Sequence, residues 1–347
     1  MGGRHDRSLS VAFWNTWLLR PRFFPRGPVL PAADRLFAPD VPRRAHLAGQ
    51  AVAGRFDVVA LAECFNAPEQ AAVLASWTDP QTSRGPGRSA FRNTGSGLLT
   101  VVDSSRAEIT YRARLAYRSG GDLRDSDSFA TKGAVLTRVR RAPPPEQALR
   151  RRSHEGEPEI DIVSTHLFAG GDLLAVVPGS EDRARHHRVR MRQIDELVTF
   201  IGREHDPHLP LLVAGDLNVV AHDHTLESPT ERYDDLAARL GALGLVDLWA
   251  TNGVGPGPTC TFAHADEVAS EPDDTDLVAD DPDERLGVTR SDRRERIDYL
   301  WLGQPANGHQ VTADRPRRWG FSRPGVHGGP AGTLSDHLAL SVTLHLD

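Results

Sequence analysis

Polar residues of catalytic type follow or interrupt several short apolar runs along the chain. Glu63 ends the run 58–62, His166 ends 161–165 and Asp216 ends 211–215. The same pattern adds Asn15, Asn218, Asp298, Asp336 and His337. Carboxylate and amide oxygens bind hard divalent cations, and histidine, with an ordinary pKa of about 6.5, accepts a proton near neutral pH. Residues of these types could therefore supply the ligands of a hard divalent cation and a general base.

Each of these residues also has a simpler explanation when it is taken alone. A Glu or Asn after a strand is usually a turn residue, and 215–218 could form an Asx turn. His166 could be a half-buried structural histidine, and Asp336 could cap a turn. Six such signals in this order are harder to explain as separate turns than as parts of one site.

Eight apolar runs rich in Val, Leu and Ile, bounded by Gly, Pro and Asp, predict buried strands. They are 11–14, 58–61, 98–102, 134–139, 160–163, 211–213, 297–302 and 338–344. Apolar residues three or four apart predict an amphipathic helix over 182–204, and shorter helices are expected over 42–53, 68–76 and 231–240. Interspersed strands and helices predict a layered α/β fold in which strand ends carry the polar residues.

The 347 residues suit one domain, which we place at 8–347. Two stretches, 142–158 and 264–286, are expected to be loop insertions, the first rich in Pro and Arg and the second in Asp. The net charge of −6 disfavours a broad basic face for nucleic acid. Two cysteines, Cys64 and Cys260, form no disulfide framework, although a single bridge between them stays open.

The ordered motifs resemble the signature of the endonuclease/exonuclease/phosphatase superfamily, which includes DNase I-like nucleases, inositol polyphosphate phosphatases and neutral sphingomyelinases. The resemblance spans nearly the whole chain and implies a four-layer α/β/β/α sandwich with two central mixed β-sheets. The segment 125–135 is further similar to an Asp-Ser-x-Ala-x-Lys-Gly stretch of sphingomyelinases, in which Asp127 and Lys132 would help to shape the site. Lys132 is the only lysine among 41 Lys and Arg residues, and the alternative is a chance surface lysine.

The resemblance implies a role for each motif residue. Glu63 would be the principal Mg²⁺ ligand with Asn15 beside it, and Mn²⁺ or Co²⁺ are possible substitutes. A second ion, if present, would lie near Asp216, Asn218 and His337, and Asp336 joins the expected ligands. His337 would be the general base and Asp298 would orient it. The expected donors to the phosphoryl oxygens are His166, Asn218 and Lys132, and Asp216 would position the water or the leaving group.

The expected reaction is hydrolysis of sphingomyelin, or a related phospholipid at a membrane surface, to ceramide and phosphocholine. Trp319 and Phe321, beside three arginines, could contact the headgroups or could be core residues. The alternative activity is a nuclease that uses the arginine-rich stretch 138–152 to follow phosphates, and a catalytically silent binding module is a third reading. The segment 294–301 around Asp298 lacks the Trp-Cys-Asp-Arg pattern that is usual in inositol phosphatases.

We expect a monomer that is soluble, cytoplasmic as written or secreted if a leader was removed, because no long apolar stretch suggests a signal or a membrane span. Most histidines outside the motifs are expected to be solvated. One pair, His222 and His224, has spacing that could bind a metal adventitiously.

Overall fold

A computed structural model provides the fold. It describes residues 7–23, 27–31, 33, 37–89, 92–121, 125, 127, 130–142, 157–170, 183–223, 228–262, 277–279, 293–323, 325–326, 328 and 332–346. Most of the two predicted insertions, and His224 of the possible histidine metal pair, lie outside these residues. Within the second predicted insertion, 277–279 forms a short strand, because it pairs with 318–320 at the edge of a sheet.

Eighteen strands and five helices occur in the described residues. The strands are β1 Ser8–Leu18, β2 Val58–Cys64, β3 Pro80–Arg84, β4 Leu99–Asp103, β5 Ala107–Ala116, β6 Gly133–Arg141, β7 Glu159–His166, β8 Leu211–Asp216, β9 His222–Asp223, β10 Ser228–Pro229, β11 Leu245–Asp247, β12 Cys260–Phe262, β13 Leu277–Ala279, β14 Arg293–Glu295, β15 Asp298–Gly303, β16 Val311–Ala313, β17 Arg317–Gly320 and β18 Ala339–Leu346. The helices are α1 Val41–Val52, α2 Ala67–Leu74, α3 Arg183–Glu204, α4 Glu231–Gly241 and α5 Leu248–Asn252.

The strands form two large mixed sheets. One has the order β13-β17-β18-β1-β2-β4-β3, with β16 also paired to β18, and the other has the order β11-β15-β8-β7-β6-β5. All eight predicted strands and all four predicted helices are confirmed. The majority of their ends lie within two residues of the predicted ends. Sequence reasoning missed β3 and β5, because their burial pattern is mostly intermediate or exposed and no apolar run marks them.

The predicted four-layer sandwich is confirmed by three apolar clusters. The central cluster lies between the sheets and contains inward-facing residues of both, such as Phe13 of β1 and Ile162 of β7. The second cluster packs α1 against the outer face of the first sheet, and the third packs α3 and α4 against the second sheet. Burial of these faces provides the main stabilising term of such a fold.

Candidate active site

Strand register brings the motif residues to one end of the sandwich. β1 and β2 run parallel, with Asn15 opposite Ala62, so Glu63 follows at the same edge. In the second sheet β7 and β8 are parallel with His166 opposite Asp216, and Asp298 of β15 lies opposite Asp216 on its other side. β18 is antiparallel to β1, so its start, just after His337, lies beside the end of β1. Residues more than 300 positions apart in sequence therefore meet in one cleft.

Asn15 connects the carboxylates contributed by the two sheets. Its Nδ2 donates to Glu63 Oε1 at 3.3 Å and to Asp216 Oδ2 at 2.9 Å, while its Oδ1 accepts from Trp17 N at 3.1 Å. The side chain thus holds one carboxylate of each sheet on the same amide group. In this arrangement the Asn15 nitrogen orients Glu63 and Asp216, two of the expected metal ligands. The Asn15 oxygen already accepts a hydrogen bond from the backbone of Trp17.

The carboxylates of this cluster are held out of water. Glu63 retains 18% exposure of its side chain, and desolvation raises its pKa. Burial, with repulsion from Asp298, raises the pKa of Asp216 to about 7. Desolvation likewise raises the pKa of Asp336. Converging buried carboxylates gain from a neutralising cation, so this oxygen-rich donor set fits a hard divalent ion such as Mg²⁺.

Two residues of the cluster have a left-handed backbone. Glu63 has φ 57° and Asn218 has φ 50°. Such a conformation is uncommon for non-glycine residues, and strain of this kind is often retained where a side chain must be aimed at a functional site. Asn218 follows Asp216, whose Oδ1 accepts from Asn218 N at 3.0 Å, and Asn218 Nδ2 donates to Leu167 O at 3.2 Å.

His337 and Asp298 form a buried pair. Asp298 Oδ2 lies 2.8 Å from His337 Nδ1, and His337 Nε2 lies 4.0 Å from Asp216 Oδ2. Burial alone would lower the pKa of His337, but the Asp298 carboxylate and Cys260 together outweigh it, so the net pKa is well above its ordinary value. The pair therefore has the geometry of a carboxylate that fixes the tautomer and orientation of a general base.

Asp127 and Lys132 reach the same group of polar residues. Lys132 Nζ lies 3.0 Å from Asp127 Oδ1 and 3.0 Å from His166 Nε2, and Asp127 Oδ2 accepts from Ala169 N at 2.6 Å. Lys132 is buried, which contradicts the alternative of a chance surface lysine. Burial, Lys132 and His337 lower the pKa of His166 well below its ordinary value, which favours the neutral ring.

Because an ammonium group only donates, His166 Nε2 accepts from Lys132 in this geometry. The role of His166 as a donor to a phosphoryl oxygen stays a prediction, and the donor would be Nδ1, because the Nε2 lone pair holds Lys132. The same nitrogen lies 3.8 Å from Glu63 Oε1 and 3.6 Å from Asp216 Oδ2. His166 is therefore placed between the lysine and the two carboxylates.

Sequence reasoning missed Arg44, whose side chain is fully buried. Its guanidinium donates to Pro39 O, Thr16 O and Leu334 O at 2.7–3.2 Å and to Trp17 O at 2.8 Å. It thereby ties the residues after Asn15 to the residues before Asp336. The available signal was a charged residue three positions after Val41, within the apolar stripe of α1.

Cys260 lies beside His337 and is not part of a disulfide. Both cysteines are free and buried, so the bridge left open above is absent. Instead, Cys260 forms an isolated backbone bridge with His337, and its sulfur lies within 4.8 Å of a His337 ring nitrogen. Burial raises the pKa of the Cys260 thiol to about 12.

The structure decides between the two interpretations of Trp319 and Phe321. They are 8% and 1% exposed and pack in the cluster under α1, so they are core residues and form no headgroup surface. His186 is an exception among the histidines that we expect to be mostly solvated. It is buried 3.2 Å from the buried Asp125, which also pairs with Arg185.

Sheets packed face to face, with carboxylates, amides and histidines at one edge, define a DNase I-like α/β sandwich with a hydrolase site. The chain belongs to the Endonuclease/Exonuclease/phosphatase family, whose model matches residues 12–337. This family and fold are those of metal-dependent phosphoric diester hydrolases.

Solved structures similar to the chain include beta toxin from Staphylococcus aureus, with 15% identity, 96% of this chain and 99% of that chain covered, and a TM-score of 0.57. SmcL has 17% identity, with 98% of this chain and 99% of that chain covered, and a TM-score of 0.58. D. rerio TDP2, solved with a single-strand DNA product, has 16% identity, coverage of 98% and 99%, and a TM-score of 0.56. A beta toxin double mutant was solved with bound magnesium ions. No curated protein matches the chain significantly.

None of the helices in the described part of the chain is long and apolar enough to cross a membrane.

Proposed function

We propose that the protein is a Mg²⁺-dependent phospholipase C of the sphingomyelinase type, which hydrolyses sphingomyelin or a related phospholipid to ceramide and phosphocholine. The observation that carries this proposal is the contact of Lys132 with both Asp127 and His166. The Asp127–Lys132 segment is the part of the sequence that resembles sphingomyelinases. Its lysine contacts His166, which lies 3.8 Å from Glu63 and 3.6 Å from Asp216.

Glu63 is the proposed principal ligand of Mg²⁺, with Asp216 and Asn15 next to it and Asp336 nearby. When bound, the ion supplies positive charge to the phosphoryl oxygens and to the carboxylates that burial has desolvated. Lys132 provides a second positive charge from the opposite side of His166. One amide hydrogen of Asn218 is used by Leu167 O, which leaves the other for a phosphoryl oxygen.

His337 is the proposed base. Its Nδ1 is occupied by Asp298, so Nε2, which faces Asp216, takes the proton from the attacking water. The water oxygen forms a bond to phosphorus, and the bond from phosphorus to the ceramide oxygen breaks. The released alkoxide takes up a proton, which gives ceramide and phosphocholine. Asp216, with a pKa of about 7, lies where it can position the water or the leaving group.

A nuclease is the second candidate, and the similarity to D. rerio TDP2 solved with its DNA product supports it. The arginine-rich stretch that motivated it gives less support where it is described. Arg138 Nε pairs with the buried Asp161 at 2.8 Å, and Arg140 pairs with Glu108 and Glu159 at 3.1 and 3.0 Å. These two arginines are already neutralised by carboxylates, which weakens their ability to follow phosphates.

The deciding assay measures hydrolysis of sphingomyelin and phosphatidylcholine in mixed micelles, and nicking of plasmid DNA, each with Mg²⁺ and with chelator. Phosphocholine release that chelator and His337→Ala abolish would support the proposal. Nicking without lipid hydrolysis would replace it with the nuclease. His345→Ala is the matched control, because His345 lies at the far end of β18 and is 43% exposed beside Asp314.

A further inference from the structure

We propose that Cys260, Asp336 and His337 form a second cation site, selective for a thiophilic divalent ion such as Zn²⁺, and that its occupation blocks the base. The site shares Asp336 and His337 with the expected Mg²⁺ donors but differs from them by its sulfur ligand. Its inhibitory consequence rests on the proposed function, whereas ion binding itself does not.

The three side chains are already close together. One ligand atom from each, the Cys260 sulfur, an Asp336 carboxylate oxygen and a His337 ring nitrogen, all lie within 4.8 Å of one another. Their backbones are also fixed, since Cys260 bridges His337 and Leu338 N donates to Thr259 O at 2.7 Å. On the other side β12 pairs with β14, with Cys260 opposite Glu295. Little rearrangement is needed for all three to bind one ion.

The ligand types determine which ion is favoured. Zn²⁺ binds thiolate, imidazole and carboxylate ligands, and sites with three protein ligands keep a fourth position for water. Mg²⁺ is a hard ion that prefers oxygen ligands, so the Cys260 sulfur is not a favourable ligand for it. Asp298 behind His337 Nδ1 reproduces the carboxylate–histidine arrangement that orients histidine ligands of zinc. The site therefore distinguishes Zn²⁺ from Mg²⁺ by the type of its ligand atoms and not only by their positions.

Zn²⁺ and the proton of the attacking water compete for the lone pair of His337 Nε2. With Nδ1 held by Asp298, only Nε2 of His337 is available to bind an ion or to accept a proton. A bound Zn²⁺ would take Nε2 and leave the attacking water without a base. Zn²⁺ would therefore inhibit the enzyme even when Mg²⁺ is saturating.

Binding is tested with Co²⁺, which reports thiolate ligation by a charge-transfer absorption band, added to metal-free protein. The band is expected in the wild type and in Cys64→Ala, and it should be absent in Cys260→Ser. Cys64 is the matched control, because it is also free and buried but packs in the cluster under α1. No band in the wild type, or an equal band in Cys260→Ser, would overturn the site. If Cys260→Ser does not fold, Asp336→Asn should weaken Co²⁺ binding at least about tenfold, and unchanged binding would overturn it.

Inhibition is measured as the Zn²⁺ concentration that halves each variant's own Mg²⁺-dependent rate on its best substrate. This concentration should rise at least about tenfold in Cys260→Ser and stay the same in Cys64→Ala. Equal inhibition of the wild type and Cys260→Ser would refute the inhibitory role. If no substrate is turned over, the proposed function fails, while the Co²⁺ band still decides the metal site.

Discussion

Asp298 Oδ2 and His337 Nδ1 lie 2.8 Å apart in a pair whose carboxylate is fully buried and whose ring is 8% exposed. The two residues are 39 positions apart; Asp298 begins β15 of the second sheet, and His337 lies just before β18 of the first. The carboxylate keeps the ring in one orientation and raises its pKa. Both effects can be measured separately.

Replacing Asp298 by Asn should reduce kcat on the order of 10²- to 10⁴-fold, because the ring loses its fixed tautomer. The carboxylate raises the pKa of His337, so its removal lowers that pKa. A base is active when deprotonated, and the acid limb of kcat/KM should therefore move to lower pH. A pH–rate profile of both proteins at saturating Mg²⁺ checks this, and an unmoved acid limb would show that Asp298 does not act on the base.

Lys132→Arg should reduce kcat on the order of 10²- to 10³-fold, even though the charge is kept. The larger planar guanidinium does not fit a buried position with contacts of 3.0 Å to two different groups. Asp127→Asn should give a similar loss, and the double variant should lose much less than the product of the two. A double-mutant cycle on kcat tests this coupling. Additive losses would mean that Asp127 does not act through Lys132.

Metal removal should make stability fall as the pH rises. Burial raises the pKa of Asp216 to about 7, so the folded apoprotein binds a proton that the unfolded chain has released. That stability is complete below the ordinary pKa of Asp, about 3.9, and is lost as the pH rises through about 7. Urea unfolding with chelator between pH 5 and 8 should show the decline in the wild type and a smaller one in Asp216→Asn. Mg²⁺ should restore stability at the higher pH, and a flat wild-type profile would contradict the shift.

Asp161 should provide the opposite pH dependence, away from the cleft. Burial alone would raise its pKa, but hydrogen bonds from His205 and Arg138 lower it overall. Its contribution is therefore present above the ordinary pKa of Asp and is lost as the pH falls through the lowered value. Asp161→Asn should cost roughly 1.5–3 kcal/mol at pH 7, and the difference should shrink in acid. Asp314→Asn is the exposed control, and an equal loss at pH 3 and pH 7 would disprove the assignment.

The sequence by itself determined the elements and the list of polar residues. Apolar runs such as 58–61 and 211–213 predicted buried strands because period and composition are local properties, and Glu63 and Asp216 could be recognised at their ends. The motif order also identified the family that the chain matches. Edge strands such as β3 and β5 were missed, since half-exposed strands leave no apolar signature.

Only the tertiary structure decided how those residues meet. Strand register set His166 opposite Asp216 and Asp216 opposite Asp298, and no local pattern encodes register between distant strands. The tertiary structure also brings Cys260 next to His337 and places Trp319 in the core. Hydrogen bonding and desolvation depend on neighbours brought from elsewhere in the chain, so residue type alone could not fix the role of His166 or the pKa of Asp216.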